Sequence, residues 1–292
     1  MNKNQIRQST EMEPAVKKEE TGKVGDAIGA VERSVAVWPK EAAPACVDSI
    51  AQEVAVALVY NGVSHAVMMA SPVQLEAFAL GFSLTEGIIN KADDIYATEI
   101  VQRERGIEVE LTISSQCFMN LKNRRRTLTG RSGCGICGAE SLEQVRPQLE
   151  AVNADFSISH AAINRATSEL AAHQPLQSLT GAVHGAAWCD ADGGIVGVCE
   201  DVGRHNALDK LIGSLWSDSV LQQPGFILIS SRASYEIVQK AAKAGIAIVA
   251  AVSAPTSLAI DIAEEAGITL VGFSRQDRHV AYSHAARLTQ EG

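Results

Sequence analysis

Two cysteines in a glycine-rich segment are the residues of this sequence best suited to covalent chemistry. Cys134 and Cys137 lie in the run RSGCGICG, separated by two residues. Two thiols at this spacing can form a reversible disulfide, share a metal ion, or act as nucleophiles. The neighbouring glycines remove side-chain bulk, so a large partner can approach the thiols closely.

The charge around this pair favours the nucleophilic interpretation. Four arginines lie nearby in sequence: Arg124, Arg125, Arg126 and Arg131. Nearby positive charge stabilises a thiolate relative to the thiol, and the thiolate is the reactive form. The segment therefore predicts reactive thiols, although it does not indicate what they carry.

Three other interpretations of the pair stay open at this stage. A structural zinc site usually needs four ligands, and the sequence has no second CxxC. A thioredoxin-like redox pair follows a strand and opens a helix, whereas this pair falls in a predicted basic loop. The thiols could also be purely structural. The other cysteines are Cys46, Cys117, Cys189 and Cys199.

Composition narrows the class of protein. The chain has 292 residues, of which 46% are hydrophobic and 20% charged, as in ordinary globular proteins. A net charge of -9 argues against nonspecific nucleic-acid binding, which needs a basic face. The polar start excludes a secretory signal, and no apolar run of about 18 residues predicts a membrane span. We therefore expect a cytoplasmic protein with reduced thiols.

The pattern along the chain divides it into four parts. Residues 1–34 are polar and aperiodic, which predicts a disordered tail. Residues 35–120 predict a small α+β domain, with a hairpin turn at Asn61-Gly62 and a helix that Ser71 caps and Pro72 opens. Residues 121–140 predict a mobile basic loop that carries the CxxC pair. Residues 141–292 predict an α/β domain.

The last part alternates helices and strands. The strands FILIS and IAIVAAV are apolar throughout, which is typical of strands buried on both faces. Helices between them imply parallel pairing through right-handed crossovers. The fold class predicted is a three-layer α/β/α sandwich with a smaller N-terminal α+β domain.

Three strand ends in this sheet form a second candidate site. They are Ser230–Ser234, Ser253–Ser257 and Phe273–Arg278, and they carry hydroxyls and three arginines, Arg232, Arg275 and Arg278. Ligands of open parallel sheets bind at the carboxyl ends of strands, and helix N-termini attract anions. The donors at these strand ends predict a site for a phosphate-bearing ligand. The alternative is that the hydroxyls only cap the helices that follow and that the arginines are ordinary surface residues. ATP hydrolysis and standard NAD binding are disfavoured, because Walker and GxGxxG motifs are absent.

Two histidines beside apolar strands are weaker candidates. His184 lies in GAVHGAAW, and His205 lies in the segment Glu200–Asn206. Buried hydrogen bonding is the simpler role for either ring. A role in lining a ligand site is the alternative.

Placed in order, these motifs resemble the FdhD family of formate dehydrogenase accessory sulfurtransferases. The resemblance spans residues 47–288, and it rests on GCGICG, TGAVHGAAW, EDVGRHNALDKLIG, SRASYEIVQKAAKAG, SAPTSLAIDIAEEAG and LVGFSRQDR. It implies that sulfur is taken from a cysteine desulfurase as a persulfide. It also implies delivery to the molybdenum cofactor, in its bis-molybdopterin guanine dinucleotide form, for formate dehydrogenase.

The resemblance also implies residue roles. Cys134 matches the persulfide carrier, and Cys137 matches the second cysteine of the loop. The cofactor-binding stretch corresponds to Phe273, Ser274, Arg275, Gln276, Asp277 and Arg278. The family implies a core similar to the cytidine deaminase fold, often as a homodimer. We expect no permanent metal.

Rival functions remain to be weighed against this one. Zinc deaminases use H-x-E with a later P-C-x-x-C, but His184-Gly185-Ala186 lacks the glutamate and the CxxC precedes the histidine, so deamination is disfavoured. A non-catalytic chaperone that binds the cofactor of a molybdoenzyme is one alternative. A small zinc-containing assembly module is another.

Overall fold

The computed structural model describes residues 29–38, 46–129, 149–216, 220–275 and 278–290, with the backbone alone for 124–129 and 222. The helices and strands of the N-terminal part are β1 (Ala30–Val35), β2 (Cys46–Ala51), β3 (Val54–Tyr60), β4 (Val63–Ala70), α1 (Leu75–Thr85), β5 (Ile95–Arg103), β6 (Gly106–Ile113) and α2 (Ser115–Thr129).

The C-terminal part continues with β7 (Ile158–Ser159), α3 (His160–Glu169), α4 (Pro175–Thr180), β8 (His184–Asp190), β9 (Ile195–Asp201), α5 (Arg204–Trp216), β10 (Gly225–Ile229), α6 (Tyr235–Lys243), β11 (Ile248–Ala251), α7 (Ser257–Ala266), β12 (Thr269–Arg275), β13 (Arg278–Ser283) and β14 (Leu288–Thr289). Short 3-10 helices lie at Ala92–Asp94, Leu170–His173, Val220–Gln222 and Ala285–Arg287.

The large sheet has the strand order β13-β12-β11-β10-β8-β9. Its central strands β10, β11 and β12 pair in parallel, whereas β8, β9 and β13 pair antiparallel with their neighbours. Every residue of β10 and β11 is buried, because helices cover these apolar strands. The predicted parallel pairing of the two strands is confirmed, and so is a mixed α/β fold. The likeness to the cytidine deaminase fold stays a prediction.

A second sheet has the order β4-β3-β6-β5. β3 and β4 form the predicted hairpin, and Asn61 and Gly62 take positive φ angles of 47° and 77°. Such angles suit a two-residue turn between twisted strands. One face of this sheet packs under α1, whose Phe78 and Phe82 are buried in the core.

Two glycines let α1 and α5 touch through their backbones. A Cβ on Gly81 would lie 1.8 Å from the Asp209 carbonyl oxygen, and one on Gly213 would lie 1.9 Å from that of Ala77. Contacts this short leave no room for any side chain. α5 is therefore held directly against α1, the helix that covers the smaller sheet.

Gly213→Ala tests this crossing. We expect it to lower the free energy of unfolding by about 3 kcal/mol, because a rigid carbonyl group must move and the helices must separate. Urea unfolding measures the loss. Gly197→Ala is the matched control, since its nearest neighbour would be Leu215 Cδ2 at 3.7 Å, an ordinary contact. Equal stability of the two variants would contradict the close crossing.

A buried cluster of charges ties α6 to the same pair of helices. Lys240 Nζ lies 2.9 Å from both Asp209 Oδ2 and Glu86 Oε1, and donates to Thr85 Oγ1 at 3.0 Å. Burial alone would lower the pKa of Lys240, but the two carboxylates outweigh it and raise that pKa. These contacts hold the last turn of α6 against α5.

Two predicted boundaries are wrong within the described residues. β1 begins at Ala30 and pairs with β2, so residues 30–34 are a strand rather than part of a tail. α2 continues to Thr129, so residues 121–129 are helical rather than part of a loop. Leucine, lysine and arginine are good helix formers, which explains the extension. Residues 1–28 and 130–140 lie outside the described part of the chain.

The predicted start of α1 is also wrong. The helix begins at Leu75 after Gln74, so Ser71 is not its cap and Pro72 is not its first residue. Ser71 instead donates its N–H to Asp201 at 3.0 Å and accepts from the N–H of Val202 at 3.2 Å. A contact with a distant loop replaces the local cap.

Candidate functional site

The structure describes only part of the predicted site. Phe273, Ser274, Arg275 and Arg278 belong to the strands β12 and β13. The other predicted site residues, Cys134, Cys137, Gln276 and Asp277, lie outside the described residues. Their assigned roles therefore stay predictions.

The three polar strand ends lie side by side. The Val252 N–H donates to the Ile229 carbonyl at 3.0 Å, and the Phe273 N–H donates to the Ser253 carbonyl at 3.1 Å. Beyond the strands, Ala233 and Pro255 form a further bridge. We call residues 230–234, 253–257 and 273–275 the carboxyl edge.

The end of β12 combines an exposed aromatic ring with a tethered arginine. Phe273 is 41% exposed and has a φ of 53°, which is an outlier for a bulky residue. Arg275 Nε donates to the Val252 carbonyl at 2.9 Å, which fixes the direction of the guanidinium. Backbone strain of this kind occurs mainly at functional sites.

Ser274 has a different role from its neighbours. It has no exposed surface, and its Oγ lies 2.6 Å from Thr167 Oγ1 on α3. A ligand cannot reach it without opening the structure. The Ser274 side chain therefore holds the end of β12 against α3, and its predicted part in cofactor binding stays a prediction.

A second group of polar side chains joins the carboxyl edge through β8. The Gly185 N–H donates to Ser230 Oγ at 2.9 Å, and the Ser230 N–H donates back to the Gly185 carbonyl at 3.0 Å. This pairing places the start of β8 beside the end of β10. We use the name His205 cluster for His184, Arg204, His205, Ser234 and Glu236.

Glu236 is the centre of the His205 cluster. Its Oε2 accepts from His205 Nε2 at 2.6 Å and lies 3.7 Å from an Arg204 nitrogen. The hydrogen bond from His205 lowers the pKa of Glu236, and Arg204 adds to that effect. Burial lowers the pKa of His184, as do the positive charges of Arg204 and His205. The sequence had indicated His184 and His205, but no motif distinguished Glu236 from other helix glutamates.

A buried ion pair fixes the turn before this cluster. Lys210 Nζ lies 2.6 Å from Asp201 Oδ2, and both side chains are fully buried. Asp201 also accepts from the N–H of Gly203 at 2.7 Å and from Asn206 Nδ2 at 2.9 Å. Burial lowers the pKa of Lys210, and Asp201 opposes this shift. The network holds the first turn of α5 in place.

The donors at the edge suit phosphate groups. The helices α6 and α7 both begin here, and a helix N-terminus offers free N–H groups and a positive dipole end. Arg204 Nε is buried without a hydrogen-bond partner among the described residues. The exposed guanidinium groups of Arg232 and Arg275 add bidentate donors. The predicted phosphate-bearing ligand therefore has hydrogen-bond donors at this edge, and its binding here stays a prediction.

Of the four cysteines that the structure describes, three are buried and one is exposed. Cys117, Cys189 and Cys199 are buried, and burial raises the pKa of Cys189 to about 12. Burial also raises the pKa of Cys199. Cys46 is exposed at the first residue of β2. In the described ranges, no three His, Cys, Asp or Glu side chains are grouped to hold a metal ion.

Comparison with known proteins identifies the family. Residues 51–289 match the model of the FdhD/NarQ family. The chain belongs to the FdhD/NarQ family. The predicted family resemblance is thereby confirmed over most of the chain.

Individual FdhD/NarQ proteins extend this result. The sulfur carrier protein FdhD of Cupriavidus necator is 51% identical over 286 residues, which are 97% of this chain and 97% of that protein. The sulfur carrier protein FdhD of Acinetobacter baylyi is 50% identical over 237 residues, 81% of this chain and 86% of that one.

A solved structure shares the fold. The crystal structure of a protein from Desulfotalea psychrophila, described as a formate dehydrogenase accessory protein, superposes with a TM-score of 0.70. It is 25% identical and covers 89% of this chain and 99% of its own. Within the described part of this family member, no helix has the length and apolar character that crossing a bilayer requires.

Proposed function

We propose that this protein is a sulfurtransferase that carries sulfur on Cys134 and delivers it to the molybdenum cofactor used by a formate dehydrogenase. The observation that carries this proposal is the 51% identity, over 97% of both chains, to a sulfur carrier protein FdhD. The structural neighbour described as a formate dehydrogenase accessory protein supports the choice of client enzyme.

The first half of the reaction loads sulfur onto the protein. The Cys134 thiolate attacks the outer sulfur of a persulfide on a cysteine desulfurase. A new S–S bond forms on Cys134, and the desulfurase cysteine leaves as its thiolate. Cys134 suits this role because the RSGCGICG segment is rich in glycine and follows three arginines. The buried cysteines with raised pKa values do not.

The second half passes the outer sulfur to the substrate, the bis-molybdopterin guanine dinucleotide form of the cofactor. The outer sulfur of a persulfide needs two electrons to become sulfide. A reduced metal centre supplies this pair if it takes the sulfur directly, and Cys134 then leaves as the thiolate. In the other route, Cys137 attacks Cys134 Sγ, releases hydrosulfide and forms a Cys134–Cys137 disulfide. Alkylation and mass spectrometry distinguish the routes, because only the second forms a disulfide.

The carboxyl edge holds the cofactor in this proposal. The phosphates of the guanine dinucleotide bind the arginines and helix N-termini at the edge. Phe273, exposed and held at its unusual φ, offers a ring face for stacking. Gln276 and Asp277 complete the stretch that ends at Arg278.

Replacing the two arginines of this stretch tests cofactor binding. We expect Arg275→Gln and Arg278→Gln each to weaken binding of the isolated cofactor by about 10–100-fold, since a hydrogen bond to a charged group contributes about 1.5–3 kcal/mol. Sulfur loading on Cys134 should be unchanged. Equilibrium dialysis measures the affinity. Arg103→Gln is the control, because Arg103 pairs with Glu108 and Glu110 on the second sheet. Unchanged affinity in both test variants would contradict the proposed binding stretch.

A non-catalytic cofactor chaperone is the second candidate. The hydrogen-bond donors of the carboxyl edge support a chaperone as much as they support a sulfurtransferase, because binding the cofactor needs no thiol. A chaperone would activate formate dehydrogenase fully with Cys134→Ser. A zinc-containing assembly module would instead bind one zinc per chain and lose it with either loop cysteine.

The proposal includes the setting in which the protein acts. We place it in the cytoplasm, where thiols stay reduced. We also propose a homodimer, which light scattering at several protein concentrations tests.

A further inference from the structure

An open cavity lies between β13, β14 and the start of α3. Its volume is about 400 Å³, which is within the range of small-molecule sites. Its wall includes the side chains of His160, Arg278, His279, Ala281, Ala285 and Leu288. We call it the β13 cavity.

The β13 cavity borders the stretch that we propose binds the cofactor. Arg278 is the last residue of that stretch and also lines the cavity. It is paired across the hairpin of β12 and β13 with Arg275, and residues paired in this way have Cα atoms about 5 Å apart. A phosphate bound by Arg278 therefore lies at the mouth of the cavity, and the ring attached to that phosphate has the cavity within reach.

The two paired arginines lack a counter-ion in the part of the chain that the structure describes. Arg275 donates to the Val252 carbonyl, and neither Arg275 nor Arg278 forms an ion pair with a described carboxylate. Like charges directly opposite each other destabilise a sheet. An anion held between the two guanidinium groups would offset this repulsion, so the hairpin favours a phosphate at this position.

Two contacts with α3 hold both strands of this hairpin. His160 is the first residue of α3, and its Nδ1 lies 3.3 Å from His279 Nε2 on β13. Two turns later, Thr167 Oγ1 lies 2.6 Å from Ser274 Oγ on β12. Asn164 lies between them on the same face of the helix, with its Nδ2 2.8 Å from His160 Nε2. These contacts fix the two imidazole rings in the cavity wall.

The lining of the β13 cavity suits a planar heterocycle with a phosphate attached. The rings of His160 and His279 have centroids 4.4 Å apart and supply aromatic surface. Burial and the neighbouring His160 lower the pKa of His279, so its ring is neutral at neutral pH. The apolar part of the wall consists of Ala281, Ala285 and Leu288. Arg278 adds a positive charge at one side of this surface.

We propose that the β13 cavity is a second subsite for the cofactor, which takes one of its fused heterocyclic rings while Arg278 binds the attached phosphate. This inference rests on the proposed cofactor binding and deepens it. Two parts of the cofactor have this chemistry, the guanine of a nucleotide arm and the pterin. One molecule is then held at two adjoining points, which limits the orientations in which the protein can present it.

The test fills the cavity and leaves its surroundings unchanged. Ala285 lines the cavity, whereas Ala286 is not among the described lining residues, and both are exposed in the same 3-10 helix. Ala285→Phe is the test variant, and Ala286→Phe is its matched control. Equilibrium dialysis with the full-length protein measures the affinity for the complete molybdenum cofactor. GDP and the cofactor without nucleotide are the two smaller probes.

We expect Ala285→Phe to weaken binding of the complete cofactor by about 10-fold or more, an effect similar to the loss of one stacked base. Ala286→Phe should bind like the original protein. His279→Ala, which removes a ring from the wall, should weaken binding by a similar factor. The probe that also loses affinity identifies the ring, GDP for guanine and the nucleotide-free cofactor for the pterin. Affinities of Ala285→Phe and His279→Ala equal to that of Ala286→Phe would overturn the inference.

Nuclear magnetic resonance provides a readout of direct contact. The ring proton shifts of His160 and His279 should change when the cofactor is added, because a heterocycle in the cavity lies beside both rings. The ring of His284, which lies 3.5 Å from Glu264, should keep its shifts. Unchanged shifts of His160 and His279 at saturating cofactor would contradict the subsite.

Failure of the proposed function gives a different result. If the original protein did not bind the cofactor at all, the proposed function would be wrong, and the inference with it. If Arg275→Gln weakened binding and Ala285→Phe did not, cofactor binding would stand and the inference alone would fail.

Discussion

Cells in which Cys134→Ser replaces the natural protein should have no more formate dehydrogenase activity than cells without the protein. Serine has the size of cysteine but cannot form a persulfide, so no sulfur reaches the cofactor in the proposed mechanism. The expected effect is complete loss, because the transferred atom itself has no attachment point. Activity in cell extracts, normalised to the amount of dehydrogenase protein, measures it.

Cys46→Ser is the matched control for this variant. Cys46 is exposed at the first residue of β2, so it is an accessible thiol that has no part in the proposed mechanism. It should leave activity unchanged. Full activity with Cys134→Ser would favour the chaperone candidate over the sulfurtransferase.

Asp201→Asn should have the largest effect on stability. It leaves the ammonium group of Lys210 buried without an ionic partner, which costs about 3–5 kcal/mol in the free energy of unfolding. Asparagine keeps only one acceptor oxygen, so either the backbone N–H of Ser71 or that of Gly203 also loses its acceptor. Urea unfolding followed by circular dichroism measures the difference.

Removal of an exposed ion pair gives the matched comparison. Arg165 and Glu169 are 53% and 42% exposed, and Arg165→Ala should cost less than about 1 kcal/mol. A double variant, Asp201→Asn with Lys210→Met, should recover part of the loss because the unpaired charge is gone. If Asp201→Asn were no more costly than Arg165→Ala, the buried pair would not hold the turn at α5.

The elements with strong local signals could be predicted from the sequence. The strands β10 and β11 consist of apolar residues throughout, so both of their faces must be buried. Their parallel pairing follows from the helix that connects them. The Asn61-Gly62 turn was equally predictable, because few other residue pairs take two positive φ angles. Because the strands β10, β11 and β12 are neighbours in the sheet, the three polar segments that follow them could also be predicted to lie together.

Elements that depend on distant contacts could not be predicted in this way. Ser71 has the sequence of a helix cap but bonds to Asp201, 130 residues later. β1 is a short polar strand that exists through its pairing with β2. Glu236 resembles any glutamate in a first turn, and only the fold places it 2.6 Å from His205.

The most direct measurement of the central claim is to locate the sulfur. The full-length protein is incubated with a cysteine desulfurase and cysteine and is then digested without reductant. Mass spectrometry measures the masses of the peptides that contain cysteine. The account predicts that the peptide containing Cys134 gains one sulfur atom and that the peptides of Cys46, Cys117, Cys189 and Cys199 gain none. Added sulfur on one of those four cysteines, with none on Cys134, would contradict it.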